Sequence, residues 1–203
     1  MACRKDTHPA RVLQSQVMFP RPLKTDELAL LTDIDGTVQS SRYLHLNRSL
    51  TEFGASWSLE PRDLRERLID PNRIDETTAF AFRQIVGGIE EGIALCIELQ
   101  GEPVAALVAQ PRVELRTLHV VDLRVDFDYR RQGLGTALGC AAINCAREGE
   151  LRAVTAETRT DNFPAISFLK KLGFEPAGLD THRLSNHDLV KERATLLWCL
   201  ALD

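Results

Sequence analysis

The chain has 203 residues, a formal net charge of −4, 44% hydrophobic and 27% charged residues. That length suits one domain able to bury roughly 70% of its unfolded surface without a disulfide or metal; the acidic balance argues against wrapping nucleic acid, and no apolar run reaches the roughly 18 residues of a membrane span. Asp6, His8 and Pro9 stand where an export signal would have its apolar centre, and five scattered cysteines lack any CxxC spacing, so a cytoplasmic protein with no zinc site and no disulfide framework is expected.

Residues 1–25 are polar and carry Pro9, Pro20 and Pro22, which reads as an N-terminal arm or a first edge segment. Residues 26–203 read as one domain. Leu28 to Thr32 is a short apolar run that Asp33-Ile34-Asp35-Gly36 ends as a turn. Val38 to Leu46 alternates weakly, as a strand would. Pro61 in a first turn, with Leu64 and Leu68 four apart before Asp70-Pro71, predicts a helix. Ala79, Phe82, Val86 and Ile89 keep helical spacing and loosen at Gly87-Gly88.

Beyond that point the pattern changes. Ile93 to Gln100 and Val104 to Gln110, separated by Gly101-Glu102-Pro103, predict a hairpin. Leu118 to Val125 predicts a third strand. A helix follows with Leu134, Leu138, Ala141 and Cys145 on one stripe, ending at Gly149. Ala153 to Glu157 reads as a buried strand, and Asn162 to Leu172 as a helix with Pro164 in its first turn. Pro176 to Leu184 and Thr195 to Leu202 read as closing strands. The sum is an α/β chain: antiparallel strands, one strand–helix–strand unit, then a hairpin.

The informative stretch is Leu118 to Phe174. A strand ends in Arg130-Arg131-Gln132-Gly133-Leu134-Gly135, and two glycines open a helix. A helix N-terminus presents unpaired N–H groups and positive dipole, which suits a phosphate. Glycines let a pyrophosphate approach the backbone, and arginines add charge-assisted bonds. The plainer reading is a strand-to-helix turn with a solvated arginine pair.

Arg130 to Gly135 matches the acetyl-CoA signature [QR]xxGx[GA] and so resembles the GNAT N-acetyltransferases. Asn162, Ala165, Phe168, Lys170, Gly173 and Phe174 resemble the same family's NxxAxxFYxKxGF segment. The resemblance covers roughly Ile93 to Leu202. Val121-Asp122-Leu123, Glu157-Thr158, and Gly178-Leu179-Asp180 leading to Ala194-Thr195-Leu196-Leu197-Trp198 look like streptothricin acetyltransferases within that superfamily.

The resemblance implies a mixed, mostly antiparallel sheet flanked by helices and splayed between the strands ending at Val125 and Glu157. It makes 93–175 the cofactor core and 176–203 a closing hairpin. Acetyl-CoA is the implied co-substrate, with no metal. Its pantetheine lies in the split against the backbone near Leu123 and Val125. Its pyrophosphate sits on Gln132, Gly133, Leu134, Gly135 and Thr136, beside Arg130 and Arg131. Asn162 points toward the pantetheine arm, and Phe168 belongs to the same cofactor set. The implied partner is a small-molecule amine, streptothricin-like antibiotics included, and homodimerisation is a family expectation.

Acyl transfer from a thioester needs a neutral amine, an oxyanion donor and a route for the thiolate. Asp122 and Glu157 are the candidate proton acceptors, one on each strand flanking the split. Each has a plainer role: Asp122 caps a bulge, or Glu157 merely orients a substrate ammonium. The tyrosine that the family commonly uses to protonate the thiolate falls at Leu169, which has no proton to give; water, Ser167 or Tyr43 are the substitutes. That departure keeps a catalytically weak acyl-CoA-binding module open as an alternative.

A second motif, Thr32-Asp33-Ile34-Asp35-Gly36-Thr37, resembles the DxDGT of magnesium-dependent haloacid-dehalogenase phosphatases. No GDxxxD follows it, so a hairpin turn closed by Gly36 is the stronger reading. His119 reads as a structural strand residue, His182 and His187 as outside candidates for the acceptor site, Cys140 and Cys145 as core, and Trp198 as packing for the last strand.

Overall fold

The structure, a computed structural model, describes residues 19–202. Its strands are β1 (Arg21–Pro22), β2 (Val38–Leu50), β3 (Ala55–Asp70), β4 (Ile93–Leu99), β5 (Glu102–Arg112), β6 (Thr117–Val125), β7 (Ala153–Arg159), β8 (Glu175–Asp180) and β9 (Thr195–Ala201). The α-helices are α1 (Glu76–Val86), α2 (Leu134–Glu148) and α3 (Phe163–Lys171). Seven strands form one sheet in the order β1-β4-β5-β6-β7-β9-β8, and β2 with β3 forms a separate long hairpin. Within the large sheet only β6 and β7 run parallel. That pair is joined by α2, as a parallel connection requires.

β5 is an interior strand, and Val104 to Ala109 is buried along its whole length, which is why it reads as an unbroken apolar run. Ala105, Leu107 and Ala109 face a core shared with α2, α3, Leu118, Val154 and Trp198. Ala106 and Val108 face the other side, where Leu31, Phe82 and Ile85 cover the sheet. The hairpin β4–β5, the β6–α2–β7 unit, α1 and α3 stand where the sequence puts them. Asp75 caps α1 by accepting from the Thr78 N–H, and Asn162 caps α3 by accepting from the Ala165 N–H. β1 pairs with β4 and buries Leu23 beside it, so the expected arm is a built edge of the sheet from Arg21 onward. Residues 1–18, with Cys3 and with Asp6, His8 and Pro9, on which the expectation of no export signal rests, lie outside the described residues.

The helix expected after Pro61 is β3 instead. A spacing of four, as between Leu64 and Leu68, satisfies a strand's period of two as well as a helical one. Pro61 is tolerated because it faces Leu44, whose N–H donates away from β3 to the Thr160 carbonyl. Leu44 and Pro61 are therefore a non-hydrogen-bonded pair, and the missing N–H of Pro61 points to the open edge. The run Leu28 to Thr32 lies in a 3-10 helix, Thr25–Asp33, and Asp33 to Gly36 links that helix to β2 rather than closing a hairpin. Asp35 accepts from the Thr37 N–H, and its own N–H donates to Asp126. The phosphatase alternative is not supported. On α2 the buried stripe is Leu134, Leu138, Ala142, Ile143 and Ala146; Cys140 is exposed and Cys145 half-buried, which corrects their assignment to the core.

Candidate active site

β6 and β7 pair only at Thr117–Ala153, Leu118–Val154 and His119–Thr155, then part. The opening between them is a cleft of about 200 Å³, walled by Val120, Leu123, Ala156, Phe168, Leu169 and Leu172. Asn72, Asp122, Glu157, Thr158 and Asn162 supply polar groups to the same cleft. Its apolar wall is the α2–α3 side of the sheet, and its polar mouth is on the opposite face.

Backbone direction makes the β6 edge chemically active. The Asp126 N–H donates to Val104 on β5. Polar groups alternate sides along a strand, so those of Arg124 also face β5 while those of Leu123 and Val125 face the gap left by β7. An extended guest can pair there as an added strand. The two residues expected to hold pantetheine are thus the two whose backbone groups point into the split.

A bulge sets the side chains on β6. Val108 pairs with Asp122 and Ala109 with Val120, leaving Val121 as an extra residue. In an unbulged strand Asp122 would face the α2 core; the extra residue turns it to the polar mouth. There the Arg124 Nε and Nη2 donate to its two oxygens at 2.6 and 3.0 Å. Arg124 is 3% exposed and Asp122 15% at their side chains, so the pair is a buried fixture. Glu157 on β7 faces the same mouth, and one guanidinium nitrogen of Arg183 donates to both its oxygens at 3.1 Å. Here the arginine comes from the β8–β9 connection and is half exposed.

His119 stands where β6 and β7 last pair, one residue beyond Val120 of the cleft wall. Its Nδ1 lies 3.1 Å from the Thr155 Oγ1. Burial, then the nearby Arg112 guanidinium, hold its pKa down to about 4; Glu157 opposes that and Arg183 adds to it. The imidazole is therefore neutral near pH 7.

At the open end, Val125 leads through a short 3-10 turn, Phe127–Tyr129, to the start of α2. Arg131 has φ 64° and Gly133 φ 89°, so left-handed conformations here bend the chain into the helix N-terminus. Gly133 requires its lack of a side chain for that reason. At Gly135 a Cβ would sit 3.4 Å from the Phe168 ring and 3.5 Å from Val125, about van der Waals contact, so this residue lies packed between β6 and α3. Leu134 is buried and offers only its N–H, while Arg131 and Gln132 are exposed and Thr136 half-buried. Arg130 does not stand free for an anion. Its Nε donates to the Val125 carbonyl at 3.0 Å and its Nη1 to Thr37 at 2.5 Å, bracing the Asp35–Thr37 turn against β6.

Leu169 lines the cleft, so the position without a tyrosine hydroxyl faces the site. Neither side-chain substitute reaches it: Ser167 is exposed on the outer face of α3, and the buried Tyr43 hydroxyl lies against Glu192 and Arg62. His182 and His187 are exposed and absent from the cleft wall. The structure adds Asn72, Arg124 and Arg183, which the sequence reading missed. Arg124 had a readable signal, two residues from Asp122 on one strand face; Arg183 lies 26 positions from Glu157 and had none. Among the described residues no cluster of three His, Cys, Asp or Glu is placed to hold a metal, and no helix is long and apolar enough to cross a membrane.

Residues 55–174 match the acetyltransferase (GNAT) family model. The N-alpha-acetyltransferase of Sulfurisphaera tokodaii is 38% identical over 98 residues, 42% of this chain and 58% of that one. Streptothricin acetyltransferase A of Bacillus subtilis is 35% identical over 79 residues, 39% of this chain and 45% of that one. The chain thus spans about half the length of these curated relatives. A streptothricin acetyltransferase structure from Bacillus anthracis, in complex with acetyl coenzyme A, superposes with a TM-score of 0.74 at 20% identity, covering 94% of this chain and 100% of that one. At that identity the likeness establishes the fold.

Proposed function

The chain belongs to the GNAT acetyltransferase family, and on that premise we propose that it transfers the acetyl group of acetyl-CoA to a primary amine of a small molecule, streptothricin-like amines included. The observation that carries this reading is the β6 edge: Leu123 and the Val125 N–H turn backbone groups without a strand partner into a cleft whose open end is the N-terminus of α2, while the Val125 carbonyl is held by Arg130. The pantetheine arm adds to that edge. Its pyrophosphate meets the N–H groups of Gln132, Gly133, Leu134, Gly135 and Thr136, with Arg131 as the exposed cation. Arg130 shapes the turn. Asn162 and Phe168 flank the arm from α3.

The thioester then lies among apolar side chains with Glu157 at the mouth. Removing water there strengthens each remaining polar contact. Glu157 receives the acceptor amine, whose cationic form takes the place Arg183 occupies now. Asp122, held by Arg124, fixes the bulge and with it the backbone N–H groups next to the thioester carbonyl. A cytoplasmic site of action and assembly as a homodimer belong to the same proposal.

Leu169 favours one second reading, an acyl-CoA-binding module without turnover. Thiol release from acetyl-CoA against an amine panel, with acetyl-CoA binding measured alongside, separates the two. Amine-dependent release supports the enzyme; tight binding with no release supports the module; no binding refutes both.

A further inference from the structure

We infer that His119 is the proton carrier of acetyl transfer: its Nε2 takes the proton that the attacking amine loses and returns it to the departing sulfur. The inference rests on the acetyltransferase reading above. It begins with where β6 and β7 rejoin. His119 and Thr155 are the last pair before the strands part. From Val125 to Val120 the β6 edge runs five steps, about 16 Å at roughly 3.3 Å per residue. An extended thioester arm that enters at α2 and adds to this edge ends where the two strands close, beside His119.

The face is right as well. Leu118, Val120 and Leu123 turn toward α2 and α3 and are packed in that core. His119 alternates to the opposite side, with Thr155 and Glu157 on the neighbouring strand. An amine has to arrive from that side, because the other is filled.

The remaining titratable groups there are already engaged. Asp122 holds Arg124, and Glu157 holds Arg183. The tautomer in which Nδ1–H donates to the Thr155 Oγ1 leaves a lone pair on Nε2, and Nε2 has no protein partner among the described residues. Arg112 from β5, Glu157 from β7 and Arg183 from the β8–β9 connection face the ring. Burial and the two guanidiniums keep it neutral at physiological pH, ready to accept. Once protonated it is a strong acid beside a thiolate whose parent thiol has a pKa of about 8.5. That acidity serves the second half of the relay, for which Leu169 has no proton to give; the first half rests on the placement of Nε2, since a group of such low pKa is a weak base.

The step balances. The nitrogen lone pair bonds to the carbonyl carbon, and the C=O π pair moves to oxygen. The N–H proton passes to Nε2. The C=O bond re-forms as the C–S bond breaks, with its pair going to sulfur. The imidazolium proton then passes to that sulfur, giving the amide, CoA thiol and a neutral His119.

The test uses single-turnover transfer from acetyl-CoA to n-butylamine, lysine amide and spermidine, with acetyl-CoA affinity measured in parallel. His119→Gln is expected to lose about 10²–10⁴-fold in transfer rate while binding acetyl-CoA as the wild type does. Added imidazole is expected to restore part of the rate to His119→Ala, which a purely structural histidine would not permit. Thr155→Val, nearly isosteric, is expected to slow transfer by loosening Nδ1, and it decides the matter if the His119 variants do not fold. Wild-type transfer rates in folded His119→Gln, or in Thr155→Val where that variant decides, would overturn the inference and leave the acetyltransferase reading standing. Absence of any amine-dependent thiol release by the wild type would overturn both.

Discussion

Each wall of the cleft carries one carboxylate, and each carboxylate holds one arginine, but the two pairs are built in opposite ways. On β6, Asp122 and Arg124 come from the same strand two residues apart, and the guanidinium is almost wholly buried. On β7, Glu157 reaches an arginine from a connection 26 residues away, and that guanidinium is half in water. The first pair cannot open without leaving a charge in the interior. The second exchanges partners at little cost. On the acetyltransferase reading the cleft holds a thioester rigidly and admits an amine, and this fold divides the two behaviours between its walls.

Arg124→Ala is the severest way to break that contrast. It strands the Asp122 carboxylate in a buried site, for which the expected loss is about 3–5 kcal/mol of unfolding free energy. Urea denaturation reads it directly, and replacing both partners by apolar residues should recover most of the loss. A cost below that of a surface pair would show that the β6 wall is not a fixture.

Arg183→Ala is the matched change on β7. An exposed ion pair contributes about 0–1 kcal/mol, so stability should hardly move. The amine KM should fall, because Glu157 no longer has a resident cation to release. Glu157→Gln should instead raise the amine KM while acetyl-CoA affinity stays unchanged. Steady-state kinetics with the amine varied at saturating acetyl-CoA measure both, and equal kinetics in all three proteins would remove Glu157 from the acceptor site.

The smallest effect expected is on pH-dependent stability. His119 has a folded pKa of about 4, below its ordinary value of about 6.5. Between those values the unfolded chain binds a proton that the folded chain refuses, so stability falls as pH drops through that window. His119→Gln should therefore show a smaller decline in melting temperature from neutral pH to about pH 4.5 than the wild type. Parallel declines would mean the ring titrates normally.

From Ile93 onward the sequence was nearly transparent. β4, β5, β6, α2, β7 and α3 bury strongly patterned faces, and their limits carry plain signals such as Gly101, Gly133, Asn162 and Gly173. Before Ile93 the reading failed at β3, since a strand exposed along most of its length writes little hydrophobic pattern and Leu64 and Leu68 suit either period. The site divides the same way. Glu157, Asp122 and the glycine turn were legible, because a motif and a strand position mark them. Arg183 on Glu157 and the bracing role of Arg130 were not. Each depends on a contact between segments distant in sequence.

Amide hydrogen exchange with and without acetyl-CoA tests most directly whether β6 is the edge that takes the thioester arm. Bound acetyl-CoA should slow exchange at Leu123 and Val125, whose N–H groups face the gap, and at Gly133 to Thr136 at the head of α2. Arg124, already paired to β5, should change little. Protection that appears elsewhere while Leu123 and Val125 exchange as fast as in the free protein would contradict the account.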